Sequence, residues 1–316
     1  MLEASRDFSF AYLSILFEGA PFILVGALLS GLLDIFLPPG LMERVLPKAK
    51  LPALLVAGLL GLAFPICECA IVPVIRRLVQ KGLPVSCGIT YMLAAPVVNP
   101  ITALSTWHAF QGQEPGLMVV SRLLLAYLLA VAAGYAASKL PLHKLLNTRT
   151  CEGLRRAFLR AKPSAPGAAP AEKPSLDSRL VAAARSALRD FVDVGVYFSI
   201  GVLITALFNT GIAPGADGIN RMAGGIVSGP VAMMALAFAL SLCSTSDAFI
   251  AATLHYFSFS AKLAFLVFGP MMDLKLVFLY QTILRREVIV ALALGLFAAT
   301  GVAAVLFAWL VPIAAR

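Results

Sequence analysis

The chain has 316 residues, 60% of them hydrophobic and 13% charged, with a formal charge of +9. A water-solvated domain carries about a quarter charged residues, so this composition, with a mean hydropathy of +0.91, excludes an ordinary soluble globule and calls for lipid as solvent. The positive charge does not mark nucleic acid, because most of it falls in one connection: eleven Lys/Arg against Glu152, Glu172 and Asp177 between residues 139 and 189.

A membrane-crossing helix needs about 20 apolar residues. Eight segments meet that length: 8–37, 51–78, 85–108, 117–140, 190–212, 226–254, 261–284 and 288–311. None alternates as a transmembrane barrel strand does. The first contains Glu18 and lacks an Ala-x-Ala cleavage site, so it reads as a retained helix and not as a signal peptide. The expected fold is an all-α integral membrane protein of about eight transmembrane helices. Residues 1–140 form one repeat, 141–189 a basic linker and 190–316 a second repeat.

A basic connection between two hydrophobic halves is the positive-inside signal. It places the linker in the cytoplasm of a bacterial cell and the spans in the inner membrane. Eight crossings then put both termini in the cytoplasm as well. The other charges give no support to this orientation. Leaving aside the linker and Lys275, the eight-span plan puts six Lys/Arg inside and seven outside. Within the linker, residues 143–162 read as an amphipathic surface helix, 163–170 as a Pro-rich tether, and a second helix starts near Leu176. The five cysteines suggest no disulfide framework.

The two halves echo each other. Glu18 with Gly26-Ala-Leu-Leu-Ser30 matches Asp193 with Gly201-Val-Leu-Ile-Thr205. Cys67-Glu-Cys-Ala70 lies over Thr245-Ser-Asp-Ala248, and Ala95-Pro-Val-Val-Asn99 over Gly269-Pro-Met-Met-Asp273. Two homologous four-helix repeats of this kind build many transporters, with the solute site where broken helices meet at mid-membrane. Four crossings per repeat imply parallel repeats. An inverted pair needs an odd number, which arises if a broken segment enters and leaves on one side.

The most unusual stretch is Phe64-Pro-Ile-Cys-Glu-Cys-Ala-Ile-Val-Pro73. Pro65 and Pro73 each remove a backbone donor and crowd the preceding turn. Unwound backbone at membrane depth survives only when buried in protein or lining a cavity. Cys67 and Cys69 offer two soft ligands and Glu68 a hard one or a proton acceptor, a set suited to Zn²⁺, Cu(I) or trivalent arsenic. The competing reading is two thiols packed like alanine beside an internally paired glutamate. Asn99, between Pro96 and Pro100, and Asp273, three residues after Pro270, stand at further breaks. Asp247, near Cys243, is an ionisable group within a span and so a functional candidate. Lys275 is placed to neutralise Asp273. Glu18 and Asp193 are expected either to pair across the repeats or to face the surface. No phosphate-binding loop or nucleophile elbow is present, so no enzyme activity and no cofactor are expected.

At Phe64–Leu78, Lys81-Gly-Leu-Pro84 and Leu93-Ala-Ala-Pro-Val-Val-Asn-Pro100 the sequence resembles a large predicted-permease family. That family includes bacterial organoarsenical efflux permeases and proteins described as copper/zinc exporters. The resemblance implies a membrane permease. It also implies a second membrane subunit, since some members are similar to subunits of two-component complexes. The leading expectation is efflux of a soft metal ion or (organo)metalloid at Cys67, Glu68 and Cys69, with a homo-oligomer or second subunit as partner. The alternatives are a permease subunit for another small solute, or a scaffold with no path of its own.

Overall fold

The computed structural model describes residues 2–36, 47, 49–64, 66–147, 151–152, 176–211 and 225–310. Among these the chain is helical, and its one extended pairing is a bridge between Leu146 and Leu284. Among the described residues, five stretches are long and apolar enough to cross a membrane: Phe8–Phe36, Pro115–Ser138, Leu180–Leu207, Phe259–Tyr280 and Arg286–Leu310. Helices prevail because hydrocarbon offers no hydrogen bonds, so backbone groups must be satisfied within each segment.

Helix α1 (Leu2–Phe36) and the later long helix α8 (Leu176–Gly211) lie antiparallel. Gly31 packs on Ala183 and Ala187, while Gly19 faces the Phe198 ring. Ser30 Oγ donates to Asp190 Oδ2 at 2.6 Å. Small residues at such crossings let backbones approach, which is how membrane helices gain packing energy without a hydrophobic drive. At one end of this pair Arg77 binds Asp190 (2.9 Å) and Asp34 (3.3 Å). We call this the linker end.

Helices α2 (Lys50–Ala63) and α3 (Glu68–Gln80) were expected to form one crossing. They turn back instead. Both pack on α4 (Val85–Ala94), but in opposite directions. Along α2, Leu54 lies against Cys87 at the start of α4, and Gly61 against Ala95 and Val98 beyond its end. Along α3 the order reverses: Ile75 and Val79 sit at Gly88, whereas Ile66 and Cys67 lie beside Asn99 and Thr102. The pair is a hairpin that rises from the linker end and returns to it. Gly82, with φ +104°, makes the turn into α4.

Helix α4 continues through residues 95–99 into α5 (Pro100–Ala109), and α6 (Pro115–Ser138) runs back alongside both. Gly134 meets Ser86 and Thr90, while Thr106 bonds Arg122 and Trp107 approaches Gly116. A four-residue helix, α7 (Leu142–Leu145), follows at the linker end.

The second half has its own hairpin, and again one crossing was expected where the chain turns back. Helix α9 (Ser228–Leu240) descends from the far end, with Met234 at Gly301 and Ala237 at Gly269. Ser241, in the left-handed region at φ 49°, ends it. Helix α10 (Ser246–Thr253) climbs back, from Ser246 beside Glu18 to Ala252, whose carbonyl accepts from Gln113 in the α5–α6 turn. Helices α11 (Phe259–Met271) and α12 (Leu274–Tyr280) then run to the linker end, where Asn147 N donates to Ile283 O. Helix α13 (Arg286–Leu310) returns, stacking Phe307 on Phe259 and Phe297 edge-on to Phe268.

Two of the expected breaks are differently placed. Pro73 and Pro270 lie inside α3 and α11, where a bend is tolerated because neighbouring groups re-satisfy the freed carbonyl. The actual breaks are residues 64–67, 95–99, 241–245 and 272–273. Pro65 lies outside the described residues, as do most of the expected 143–162 helix and the whole 163–170 tether. The helix expected from Leu176 is present as the start of α8.

Candidate functional site

The two hairpin tips meet in the middle of the bundle. Cys67, in extended conformation (φ −70°, ψ 164°), is the N-cap of α3, so Glu68 stands in the first turn of a helix whose positive end faces the tip. Glu68 is fully buried. Its carboxylate receives Lys275 Nζ at 3.3 Å and Ser244 Oγ at 3.4 Å. Lys275 comes from the start of α12. It also donates to the Ser241 carbonyl at 2.9 Å and lies 3.6 Å from Asp273 Oδ2. One ammonium therefore joins the first hairpin, the second hairpin and the α11–α12 break.

A second buried pair stands on the far side of Ser244. Arg122 of α6 holds Asp247 of α10 at 2.8 and 3.1 Å, donates to the Ser244 carbonyl at 3.1 Å and reaches Thr106 Oγ1 at 2.7 Å. Both residues are almost wholly buried. Around the tips there are thus three buried carboxylates (Glu68, Asp247 and Asp273) and two buried cations (Lys275 and Arg122). Asp273 Oδ2 has no hydrogen-bond partner.

The breaks in the crossing helices are held by side-chain caps. Asn99 Oδ1 accepts from Thr102 N at 2.8 Å, and its Nδ2 donates to the carbonyls of Ala95 and Pro96 at 2.9 and 3.0 Å. Asp273 Oδ1 accepts from Leu276 N at 2.7 Å. Each cap satisfies a donor that a helix start leaves without a partner. Pro100 occupies N1 of α5, where its missing N–H costs nothing. Pro96 lies in the turn before it.

Three thiols approach this centre. Cys67, Cys69 and Cys243 line a small void of about 10 Å³ together with Glu68, Lys275 and Glu18. Cys67 and Cys243 also line an adjoining cavity of about 160 Å³, between α1 and the hairpin tips, with Asn99 and Thr102 on its wall. Cys243 Sγ accepts from Thr245 Oγ1 at 3.7 Å. Among the described residues no three His, Cys, Asp or Glu side chains converge closely enough to hold a metal ion. The local reason is helical spacing: residues one and two apart do not share a helix face, and Glu68 is turned to Lys275. The third thiol near Cys67 and Cys69 comes from the other half of the chain.

Glu18 and Asp193, expected to pair or to face the surface, are not partners of each other. Both are exposed; Glu18 accepts from Ser246 Oγ at 3.0 Å, and Asp193 binds Arg76 at 3.3 Å. Sequence reasoning passed over Arg122, although a charged residue in the middle of a span was signal enough. It also passed over Asp190, buried between Ser30 and Arg77.

Residues 7–309 match the family described as "Predicted permease". The chain belongs to that family. It is 37% identical over 268 residues to the UPF0718 protein YcgR of Bacillus subtilis, covering 84% of each chain. It is 31% identical over 271 residues to a Streptococcus mutans protein named "Putative two-component membrane permease complex subunit", covering 84% of this chain and 82% of that one. No solved structure matches. The long apolar helices and the family together make this a membrane protein of the permease class.

Proposed function

We propose that this permease-family protein exports a soft metal ion or (organo)metalloid from the bacterial cytoplasm across the inner membrane, with the solute held between the two hairpin tips. Residues 1–140 and 190–316 act as paired halves around that point, joined by the basic linker 141–189. The observation that carries the reading is the approach of Cys67 and Cys69, from one half, to Cys243, from the other, in a buried site beside an ion pair. Thiols are the ligands that soft ions select. The geometry favours a metalloid that brings its own carbon ligands over a bare cation, because the carboxylate that a cation needs is engaged by Lys275 and Ser244. Asn99, Asp247 and Asp273 support the site by fixing the broken helices and the charge balance around it.

The test is uptake into everted vesicles, screened with Zn²⁺, Cu(I), arsenite and methylarsenite. Cys67→Ser, Cys69→Ser and Cys243→Ser are expected to insert normally and to lose transport of the soft solute by tenfold or more, since Ser is a hard, poorly ionised ligand of similar size. Cys151→Ser, on the linker side, is expected to match the parent. Full activity in all three variants against every solute would remove the metal and metalloid reading.

A second reading rests on the Streptococcus mutans relative, whose name describes one subunit of a two-component permease complex. On that reading the chain carries another small solute together with a second membrane subunit. Co-purification of a stoichiometric membrane partner with the tagged protein, and loss of transport without that partner, would support it.

A further inference from the structure

The direction of every packed helix can be followed through the bundle, and the two halves run oppositely. In the first half α1 runs towards the linker end, the α2–α3 hairpin enters and leaves there, α4–α5 runs to the far end and α6 returns. In the second half α8 runs to the far end, the α9–α10 hairpin enters and leaves there, α11–α12 runs to the linker end and α13 goes back. We infer that the protein is an inverted repeat of three crossings and one re-entrant hairpin per half, with its linker in the cytoplasm and both termini on the opposite, periplasmic face. The inference does not depend on which solute is carried.

An independent quantity agrees with it. Under an eight-crossing plan the Lys/Arg outside the linker fall about evenly on the two sides, which no orientation explains. Each connection can instead be assigned to the end at which its flanking helices emerge. Arg44, Lys48, Lys50, Arg76, Arg77, Lys81, Arg285 and Arg286 then join the eleven of the linker region at one end. The other end has Arg6, Arg221, Lys262 and Arg316, and Arg122 and Lys275 are buried in between. Nineteen against four is the asymmetry that the positive-inside rule requires. The charge pattern was uninformative only because two hairpins had been counted as crossings.

Inverted repeats with broken elements at the bilayer midplane are the architecture of alternating access. Here the residues 64–67 tip approaches from the cytoplasmic face and the residues 241–245 tip from the periplasmic face. The Glu68–Lys275 contact lies between them, so each hairpin covers the site from one side.

The two plans place both termini and three connections, around residues 37–49, 255–257 and 285–286, on opposite sides of the membrane, and Tyr256 and Arg286 are exposed side chains at two of these places. A membrane-impermeant maleimide on intact cells is expected to label Tyr256→Cys and to leave Arg286→Cys untouched. Everted vesicles should give the reverse, with the parent chain as blank. A phosphatase fused after Arg316 should be active, while one inserted after Arg160 should be silent. A C-terminus on the same face as the linker would overturn the inversion. A linker and Arg286 both found in the periplasm would overturn the orientation. Either result in a protein that still transports normally would leave the thiol site of the proposed function standing.

Discussion

Lys275 Nζ stands 3.3 Å from Glu68 Oε1 and 2.9 Å from the Ser241 carbonyl oxygen, so one side chain pins both hairpin tips to the same point. Removing one member of a buried ion pair costs about 3–5 kcal/mol, because the other charge is left without a partner. Lys275→Met strands both Glu68 and Asp273 and is expected to lower the thermal midpoint in detergent sharply. Glu68→Gln should be milder, since Asp273 still faces Lys275. The double variant should recover part of the loss of Lys275→Met. A double variant as unstable as the sum of the two singles would mean that Glu68 and Lys275 do not act as a pair.

Arg122 and Asp247 make the same argument on the far side of Ser244. Arg122→Lys keeps the charge but cannot reach Asp247, Thr106 Oγ1 and the Ser244 carbonyl together, since Lys lacks the planar fork of Arg. It should fall between the parent and Arg122→Leu in membrane-inserted yield. Equal yields for Lys and Leu would show that charge contributes nothing at this position.

Asn99 and Asp273 cap broken helices, but they differ in charge. Asn99→Ala loses its cap, a cost of about 1 kcal/mol, together with two bonds to carbonyls. Asp273→Asn keeps an acceptor for Leu276 N while removing the charge next to Lys275. Asp273→Asn is therefore expected to reduce transport more than it reduces the amount of protein in the membrane, and Asn99→Ala to reduce both in proportion. Proportional losses in both variants would make Asp273 a folding residue only.

Gly26 and Gly61 are where the first hairpin is seated. A Cβ at Gly26 would lie 2.5 Å from the Ala70 carbonyl oxygen, and one at Gly61 2.6 Å from that of Val98. Backbone cannot yield as a side-chain end can. Gly26→Val and Gly61→Val are expected to displace the hairpin and raise maleimide labelling of Cys67 in everted vesicles. Gly295, which has open space around it, should accept Ala without that change.

The sequence by itself determined the solvent, the helical class, the family and three of the four broken stretches, those near Pro65, Asn99 and Asp273; the break at 241–245 carries no proline to mark it. Those follow from quantities local to the chain: apolar length, prolines and charged residues within spans. The linker's charge also carries the expectation of a cytoplasmic side without any fold. The path of the chain did not follow. Residues 51–78 and 226–254 are long enough to cross, and local hydropathy is the same for a span as for a hairpin of two half-length helices. Only packing against α4 and α11 shows that the chain reverses there. The partners of the buried charges were likewise invisible. Glu68 and Lys275 are 207 residues apart, and Arg122 and Asp247 are 125 apart. What brings them together is the requirement that charges removed from water find each other, and which pairs form depends on where the two hairpin tips meet.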